Sequence, residues 1–265
     1  MTCSLIVSTY NWPQALELCL TSVLNQTHLP NEIIISDDGS TVETKKMIES
    51  FISKSKVPIK HIWHEDEGFQ LAKIRNKSII ASSCDYIIQI DADIILHRSF
   101  IEDHLAIAEC GFFITGSRIL LGEHLSKEVL QNKIVSFGAY IKGSKNFFNG
   151  LRSSTLRNYF SLRYKVSGKN LFDVKGCNMS FWKKDLISVN GYDEAYTGWG
   201  REDSDIAIRL INAGIRKKYL KMGGIEYHIF HNEAKRTRLD ENTRRMEETI
   251  LHQIKWCKLG LNQYI

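Results

Sequence analysis

The chain contains, at positions 86–93, the stretch Tyr86-Ile87-Ile88-Gln89-Ile90-Asp91-Ala92-Asp93. Its first five residues have the length and character of a buried strand, and two carboxylates follow at once. Similar runs at Ser4 to Thr9 and Glu32 to Ser36 precede segments with the apolar spacing of core-facing helices. Strands that alternate with helices predict an α/β fold with a mostly parallel central sheet flanked by helices.

Ligands of such sheets bind at the carboxyl ends of the strands. Three polar segments each follow a predicted strand, namely Thr9-Tyr10, Asp37-Asp38 and Asp91-Ala92-Asp93. We therefore expect these segments to lie along one edge of the sheet.

Length and composition indicate one globular domain over residues 1–265. With 43% hydrophobic and 25% charged residues, the chain is not disordered, collagen-like or a multi-span membrane protein. Residues 1–140 carry a net charge of −5 and residues 141–265 a net charge of +10. This asymmetry predicts an acidic half that holds metal or polar ligands and a basic half that meets an anionic partner. A solvated basic face is the plainer alternative.

The six cysteines are scattered without a C-x-x-C spacing, which favours reduced, mostly buried thiols and a cytoplasmic protein. The start, Met1-Thr2-Cys3, lacks the basic region of a signal peptide, so none is expected. The longest apolar runs are short and interrupted by Asp or Lys, which predicts that no helix crosses a membrane.

The second half of the chain has weaker patterns. Residues 116–170 are rich in Ser, Gly, Asn and Arg and are predicted to form long loops or a mobile flap. The tail from Leu239 onward is predicted to be an amphipathic helix that packs back on the body. A membrane-surface role for this helix is a lesser alternative, because its polar face mixes both signs of charge. Its apolar stripe would comprise Met246, Ile250, Ile254, Cys257 and Leu261.

The paired acids Asp91 and Asp93 suit a divalent cation that bridges phosphates, because Mn²⁺ and Mg²⁺ prefer hard oxygen ligands. Plain loop acids are an equally common explanation of such a tripeptide. The position after a buried strand favours the metal.

The segment Asp37-Asp38-Gly39-Ser40 is typical of a turn for backbone reasons alone, and we favour that explanation for its last two residues. One of its acids, with Thr9 and Tyr10 alongside, could instead form a pocket that accepts hydrogen bonds from a nucleobase.

The densest chemical signal is Gly198-Trp199-Gly200-Arg201-Glu202-Asp203-Ser204-Asp205. An N-capping acid cluster is the structural explanation, since the helix dipole favours carboxylates there. An indole beside carboxylates also suits sugar recognition, because the ring stacks on the apolar sugar face while acids take hydroxyl protons.

Two histidines, His228 and His231, follow a predicted strand at Ile225 to Tyr227. In a chain that also has a D-x-D turn, two such histidines indicate a metal site. Residues three apart on a continued strand face opposite ways, so only one of them is expected to be a ligand.

Taken together, these segments resemble the family 2 glycosyltransferases, in the branch of the bacterial chondroitin and hyaluronan synthase catalytic domains, with a second half like the β-1,4-galactosyltransferase carboxyl segment. The resemblance runs from about Ser4 to His231. It also includes Gly68-Phe69-Gln70-Leu71, Arg75-Asn76, Asn190-Gly191-Tyr192 and Tyr227-His228. It implies a GT-A (Rossmann-like) fold.

The resemblance implies a division of the chain. Residues 1–115 would bind the nucleotide sugar, residues 171–232 would form the acceptor side with the catalytic base, and residues 233–265 would form the C-terminal helix.

On the donor side, the resemblance assigns uridine binding to Thr9, Tyr10, an acid from Asp37-Asp38 and Asp66. Arg75 and Asn76 would support the nucleotide site, to which Gly68 and Ala92 also belong. Asp91 would contact the ribose and donor sugar, and Asp93 would hold the metal.

On the acceptor side, Trp199 and Gly200 would form the sugar platform, Glu202 would bind sugar hydroxyls, and Asp203 would be the catalytic base. His228 is the preferred metal ligand because it follows a Tyr, with His231 in reserve. Arg201 and Ser204 depart from the relatives' motif, so acceptor identity does not carry over.

The implied reaction is an inverting transfer of a hexose or N-acetylhexosamine from a UDP-sugar, dependent on Mn²⁺ or Mg²⁺, in surface polysaccharide synthesis. The acceptor would be a glycan or a polyprenyl-diphosphate-linked glycan, reached by peripheral contact with the inner membrane surface, and no nucleic acid is expected. The competing hypotheses are a sugar-phosphate nucleotidyltransferase, for which a Gly-rich basic loop is lacking, and a non-catalytic nucleotide- or glycan-binding scaffold.

Overall fold

Strands and helices alternate through the first half of the chain, as the sequence predicts. The computed structural model describes residues 1–138, 141–232 and 235–265. The strands in these ranges are β1 (Cys3–Thr9), β2 (Glu32–Asp37), β3 (Ile59–Trp63), β4 (Tyr86–Asp91), β5 (Ile94–Leu96), β6 (Phe112–Thr115), β7 (Ile119–Leu121), β8 (Ser144–Lys145), β9 (Met179–Trp182), β10 (Arg216–Tyr219) and β11 (Glu226–His228). The helices are α1 (Pro13–Leu24), α2 (Val42–Ile52), α3 (Leu71–Ala81), α4 (Phe100–Ile107), α5 (Glu123–Asn132), α6 (Ser154–Ser161), α7 (Lys183–Ser188), α8 (Glu202–Asn212) and α9 (Leu239–Leu251).

The larger sheet has the strand order β10-β6-β9-β4-β1-β2-β3. Its pairings are parallel except those of β9, which runs antiparallel to both β4 and β6. The prediction of a mostly parallel sheet flanked by helices is therefore confirmed. In register, Thr9 lies opposite Asp37 and Ser8 lies opposite Asp91, so the three predicted polar segments do share one edge.

A smaller sheet, ordered β5-β11-β7-β8, stands beside that edge. The chain enters it directly from β4 through Ala92 and Asp93, and His228 of β11 pairs with Ile94 of β5. The two sheets therefore meet at the D-x-D turn.

Both faces of the larger sheet are buried, which is why its strands have continuous rather than alternating apolar runs. Leu5 and Val7 point into one core with α1, and Ile6 points into the other with α3 and α8. All six cysteines are free, and all but Cys110 are buried.

The stretch 116–170 contains β7, α5, β8 and α6, elements that the prediction of long loops missed. β7 and β8 are too short to display a period, and α6 buries only Arg157 and Ser161. Residues 139 and 140 of this stretch lie outside the described residues.

The C-terminal helix α9 is shorter than predicted. It ends at Leu251 and buries the polar residues Asn242 and Thr249, which bond to Gly200 and Asp205. Cys257 and Leu261 are buried beyond the helix, so the predicted apolar stripe is wrong. Residues 233 and 234 of the predicted segment lie outside the described residues. In the described ranges, no helix is long and apolar enough to cross a membrane.

Candidate active site

An open cleft of about 1330 Å³ lies where the edge of the larger sheet meets the smaller sheet. Most of the residues that the sequence singles out line it. They are Thr9, Tyr10, Asp38, Gly68, Arg75, Asp91, Ala92, Asp93, Trp199, Gly200, Glu202, Asp203, His228 and His231. Of the three others, Asp37 and Asn76 are buried behind its walls, and Asp66 is an exposed residue outside the lining.

The floor of the cleft is organised by Arg75, a fully buried residue of α3. Its guanidinium donates to Asp91 Oδ1 at 2.9 Å and to Asp203 Oδ1 at 2.8 Å, and its Nε donates to Ser8 Oγ at 3.2 Å. We call Arg75, Asp91 and Asp203 the Arg75 cluster. Burial raises the pKa of Asp91, and the nearby guanidinium opposes that shift.

Asp203 stands at the start of α8, where a left-handed residue, Arg201, precedes the helix at φ 81°. Tyr192 donates a second hydrogen bond to Asp203 Oδ1, at 3.3 Å. Gly176 faces the same carboxylate, and a Cβ there would collide with it. The position of Asp203 is thus set by an arginine, a tyrosine and a glycine from three separate segments.

Glu202 adjoins Asp203 but has a different environment. It is only 8% exposed, and its Oε2 has no hydrogen-bond partner among the described residues. Burial raises the pKa of Glu202 to about 8, and the negative charge of Asp203 adds to the shift. Glu202 therefore holds its proton more tightly than an ordinary glutamate does.

A second group, which we call the Asp93 cluster, comprises Asp93, His228 and His231. The Nε2 atoms of His228 and His231 lie 3.3 and 2.8 Å from Asp93 Oδ2. One potential ligand atom from each residue lies within 4.8 Å of the others. Burial alone would raise the pKa of Asp93, but hydrogen bonds from the two imidazoles lower it well below its usual range.

The Asp93 cluster has the donors that a divalent transition metal accepts, two imidazoles and a carboxylate. Asp93 Oδ1 is buried without a hydrogen-bond partner in the described chain, which leaves an acceptor for a cation. The residues therefore fit Mn²⁺. β11 ends at His228, so the opposite-face rule for a continued strand does not apply, and both rings reach Asp93. Asp91, also predicted as a ligand, has its Oδ1 on Arg75.

The acids near β2 are held by histidines that the sequence did not single out. Asp37 is buried and accepts from His61 at 2.9 Å and from the Ser40 amide at 2.8 Å. Asp38 reaches the cleft and accepts from His64 at 2.7 Å. Burial raises the pKa of Asp38. The Asp37 carboxylate therefore stabilises the turn, and the Asp38 carboxylate lines the cleft.

Thr9 and Tyr10 end β1 at the same wall. The Thr9 hydroxyl is buried with no hydrogen-bond partner in the described residues, and the half-exposed Tyr10 donates to Asp66 Oδ2 at 2.9 Å. Asp66 packs on Gly39, where a side chain would strike its backbone. Asn76 lies in the interior and bonds to both the amide and the carbonyl of Tyr192.

The opposite wall carries Trp199, whose ring lies 4.8 Å from the Arg236 guanidinium. Arg118 also lines the cleft and comes within 3.7 Å of the Cys177 thiol. In the described chain it makes no ion pair with a carboxylate, and its neighbour Glu226 has a pKa raised well above the usual value by burial. Nothing in the local sequence marks Arg118, because it stands alone in a stretch predicted as loop.

Comparison with known proteins gives two family matches. The model for glycosyl transferase family 2 matches residues 4–189, more than half of the chain. A second model, described as the N-terminal domain of galactosyltransferase, matches residues 156–232. The second match overlaps the end of the first and covers α8 and β11.

Curated relatives include a chondroitin synthase of Escherichia coli, 28% identical over 239 residues, which cover 85% of this chain and 34% of the relative. A hyaluronan synthase of Pasteurella multocida is 27% identical, with coverage of 85% and 24%. A validoxylamine A glucosyltransferase of Streptomyces hygroscopicus is 26% identical, with coverage of 80% and 48%. The chain thus spans about a quarter to a half of these relatives.

Among solved structures, S. aureus TarS in complex with UDP has a TM-score of 0.66 at 14% identity, covering 99% of this chain and 68% of that one. At this identity the similarity establishes the fold alone, which is the GT-A fold. Together with the family match over residues 4–189, it confirms the resemblance stated from the sequence: the chain belongs to glycosyl transferase family 2.

Proposed function

We propose that this chain is an inverting, metal-dependent glycosyltransferase that moves a hexose or N-acetylhexosamine from a UDP-sugar to a hydroxyl of a glycan or lipid-linked glycan. In this proposal residues 1–115 bind the donor, residues 171–232 form the acceptor side, and residues 233–265 brace α8. The family match supports the reaction class and gives no support to a nucleotidyltransferase.

The observation that carries the proposal is the Arg75 cluster. Arg75 holds Asp203 beside Asp91, in the same cleft as the Asp93 cluster. Because Asp203 Oδ1 already accepts from Arg75 and Tyr192, its Oδ2 is the oxygen suited to remove a proton from the acceptor hydroxyl. Arg75 fixes the position of that carboxylate in the cleft, as a general base requires.

The Asp93 cluster is the proposed metal site. A divalent cation there would neutralise negative charge on the departing UDP. Asp93 Oδ1, His228 and His231 would hold it, and Arg118 on the neighbouring wall would add a fixed positive charge toward the diphosphate. A half-buried guanidinium that pairs with no carboxylate in the described part of the chain suits that task.

Substrate recognition is proposed to divide between two walls. Tyr10, Asp38 and the unpartnered Thr9 hydroxyl would bind the uridine. Trp199 would stack on a sugar ring, and Glu202, protonated at neutral pH because of its raised pKa, would donate a hydrogen bond to a sugar hydroxyl.

The relatives' names and the net charge of +10 in the second half support a glycan acceptor that is acidic or carried on a lipid diphosphate at a membrane surface. The UDP-bound neighbour supports a uridine nucleotide as donor.

The test is UDP release from a panel of UDP-sugars, with Mn²⁺ and without acceptor. We expect slow hydrolysis of one donor or a few, loss of hydrolysis in excess chelator, and recovery when Mn²⁺ is restored. A parallel reaction supplies UTP and sugar phosphates.

Three outcomes would contradict the proposal in different ways. Pyrophosphate release from UTP would indicate a nucleotidyltransferase. UDP binding without turnover of any donor or acceptor would indicate a scaffold. Full activity in excess chelator would overturn the metal assignment alone.

A further inference from the structure

A long acid-free stretch lies on the surface that borders the cleft. Between Glu128 and Asp173 the sequence has no Asp or Glu but eight Lys and Arg residues. Of these, Lys142, Lys145, Arg163 and Lys169 are exposed and make no ion pair in the described chain. The stretch therefore presents an uncompensated positive charge, which attracts an anionic partner.

The same stretch exposes large apolar side chains. On α6 and its cap, Leu156, Tyr159 and Leu162 recur at intervals of three and so share one outward face. Phe148 and Leu151, in the turn before α6, are likewise exposed. Their exposures run from 42% for Leu156 to 65% for Phe148. Apolar residues grouped in this way are typical of an interaction site rather than of a solvated surface.

The other side of α6 is fixed to the body, so its apolar face cannot turn inward. Arg157 is buried and donates to the buried carboxylate of Asp103. Arg152, before the helix, also donates to Asp103 at 3.0 Å. Ser153 caps the helix through the Leu156 amide. Helix α6 is thus a rigid platform with outward Leu and Tyr side chains.

Lys221 links the turn before α6 to the segment that follows the helix. Its Nζ donates to Asn149 Oδ1 at 2.8 Å and lies 5.6 Å from the centre of the Tyr164 ring. Arg163 in turn lies 4.5 Å over the Tyr159 ring. Cations are therefore interleaved with aromatic rings, the arrangement that suits the boundary between lipid headgroups and acyl chains.

We propose that this surface, the docking face formed by residues 142–169, binds the protein to a bilayer that contains anionic phospholipids. The exposed cations meet the headgroups, and the side chains of Phe148, Leu151, Leu156, Tyr159 and Leu162 enter the interface. An anionic glycan would bind the cations and stack on the aromatic rings, but it offers no apolar partner to Leu151, Leu156 and Leu162. A bilayer offers anionic headgroups to the cations and acyl chains to all the exposed apolar side chains.

The docking face adjoins the mouth of the cleft, since Lys145 and Lys169 line it. An acceptor attached to a lipid diphosphate would then emerge beside the proposed catalytic site. This last consequence rests on the proposed function, whereas the binding to lipid does not.

The test is co-sedimentation with phosphatidylcholine vesicles, with and without phosphatidylglycerol. We expect binding only to the anionic vesicles, and at least a tenfold loss between low and high salt, because the Debye length shortens. Phe148→Ser with Leu162→Ser should lower the partition coefficient about tenfold or more, since two buried apolar contacts are lost. Lys142→Glu with Arg163→Glu should lower it by a similar factor.

The matched control is Leu251→Ser with Trp256→Ser, two exposed apolar residues of the C-terminal segment, which should bind as the wild type does. Equal loss in this control, equal binding to neutral vesicles, or no binding by the wild type would overturn the proposal. So would a wild-type dimer that Phe148→Ser with Leu162→Ser converts to a monomer. Hydrolysis of UDP-sugar without vesicles, measured on the same variants, reports on the proposed function and should not change.

Discussion

The Arg75 cluster and the Asp93 cluster lie in one cleft but balance their charges differently. Asp91 and Asp203 share a buried guanidinium whose bonds are complete in the protein itself. Asp93 has two imidazoles near one oxygen, and its other oxygen has no hydrogen-bond partner among the described residues. The first group therefore pairs its charges within the protein, whereas the second leaves a carboxylate oxygen free to accept a cation.

The two acids of the D-x-D turn belong to different clusters. Only Ala92 separates Asp91 from Asp93 in the sequence. Asp91 nevertheless belongs to the ion-pair network of Arg75, whereas Asp93 faces the smaller sheet. The variants below test whether that division is real, since each cluster should respond to a different perturbation.

The largest effect is expected from Asp203→Asn. Removal of the proposed base should lower the turnover of transfer by about 10²–10⁴, while UDP affinity changes little because Asp203 stands on the acceptor side. Steady-state transfer and UDP titration measure the two quantities. Asp240→Asn, an exposed acid in the first turn of α9, is the control. Near-wild-type transfer by the Asp203 variant would show that another group is the base.

The next largest effect is expected from Arg75→Met. Loss of the guanidinium leaves two carboxylates side by side without their cation, and breaking a buried pair in this way costs about 3–5 kcal/mol of unfolding free energy. Urea unfolding measures this loss of unfolding free energy. Lys73→Met, on the same helix, removes a more exposed ion pair with Glu67 and should cost less than about 1 kcal/mol. Equal costs would mean that the Arg75 cluster contributes no more than a surface pair.

Mn²⁺ should stabilise the protein through the Asp93 cluster. At a hundred times its Kd, a ligand of the folded state adds about 2.7 kcal/mol. Thermal unfolding with Mn²⁺ and with chelator measures the gain, which His228→Ala and His231→Ala should each reduce. The control is His252→Ala, at an exposed histidine, which should retain the full gain in stability from Mn²⁺. A full gain in His231→Ala would leave His228 as the sole imidazole ligand, and a loss in Asp91→Asn would contradict the division between the clusters.

The fourth test concerns Glu202 and pH. Its pKa is about 8 in the folded chain against an ordinary value of 4.5. Between these values the unfolded state loses the proton and the folded state keeps it, so wild-type stability should fall as pH rises, by up to about 1.4 kcal/mol per pH unit. Glu202→Gln removes this slope. Urea unfolding at pH 5, 6, 7 and 8 should therefore show a variant whose advantage grows with pH; a constant difference would contradict the raised pKa.

The first half of the fold was predictable because each element carries its own periodic signal. The runs that became β1, β2 and β4 are continuous and apolar, and the parallel sheet then brings their carboxyl ends together. That rule was enough to predict a shared edge for Thr9, Asp37 and Asp91.

The contents of the cleft were less predictable because they depend on contacts between distant residues. Arg75 and Asp203 are 128 positions apart, and no local pattern links them. His231 is only a reserve ligand in the prediction, because the three residues Ile225 to Tyr227 do not reveal where β11 ends. β9 enters antiparallel between β4 and β6, a pairing that sequence alternation does not encode.

The passage of the chain from β4 to β5 also has a mechanical consequence. Only Ala92 and Asp93 join the two sheets there, and each is tethered to a different one: the Ala92 amide bonds to Ser8 of β1, and the Asp93 carbonyl accepts from Ile229. A tilt of one sheet against the other must therefore change the separation of Asp91 and Asp93. The turn thus connects the Arg75 cluster, with the proposed base, to the Asp93 cluster, the proposed cation site. A ligand that contacts both clusters would hold the two sheets at one angle.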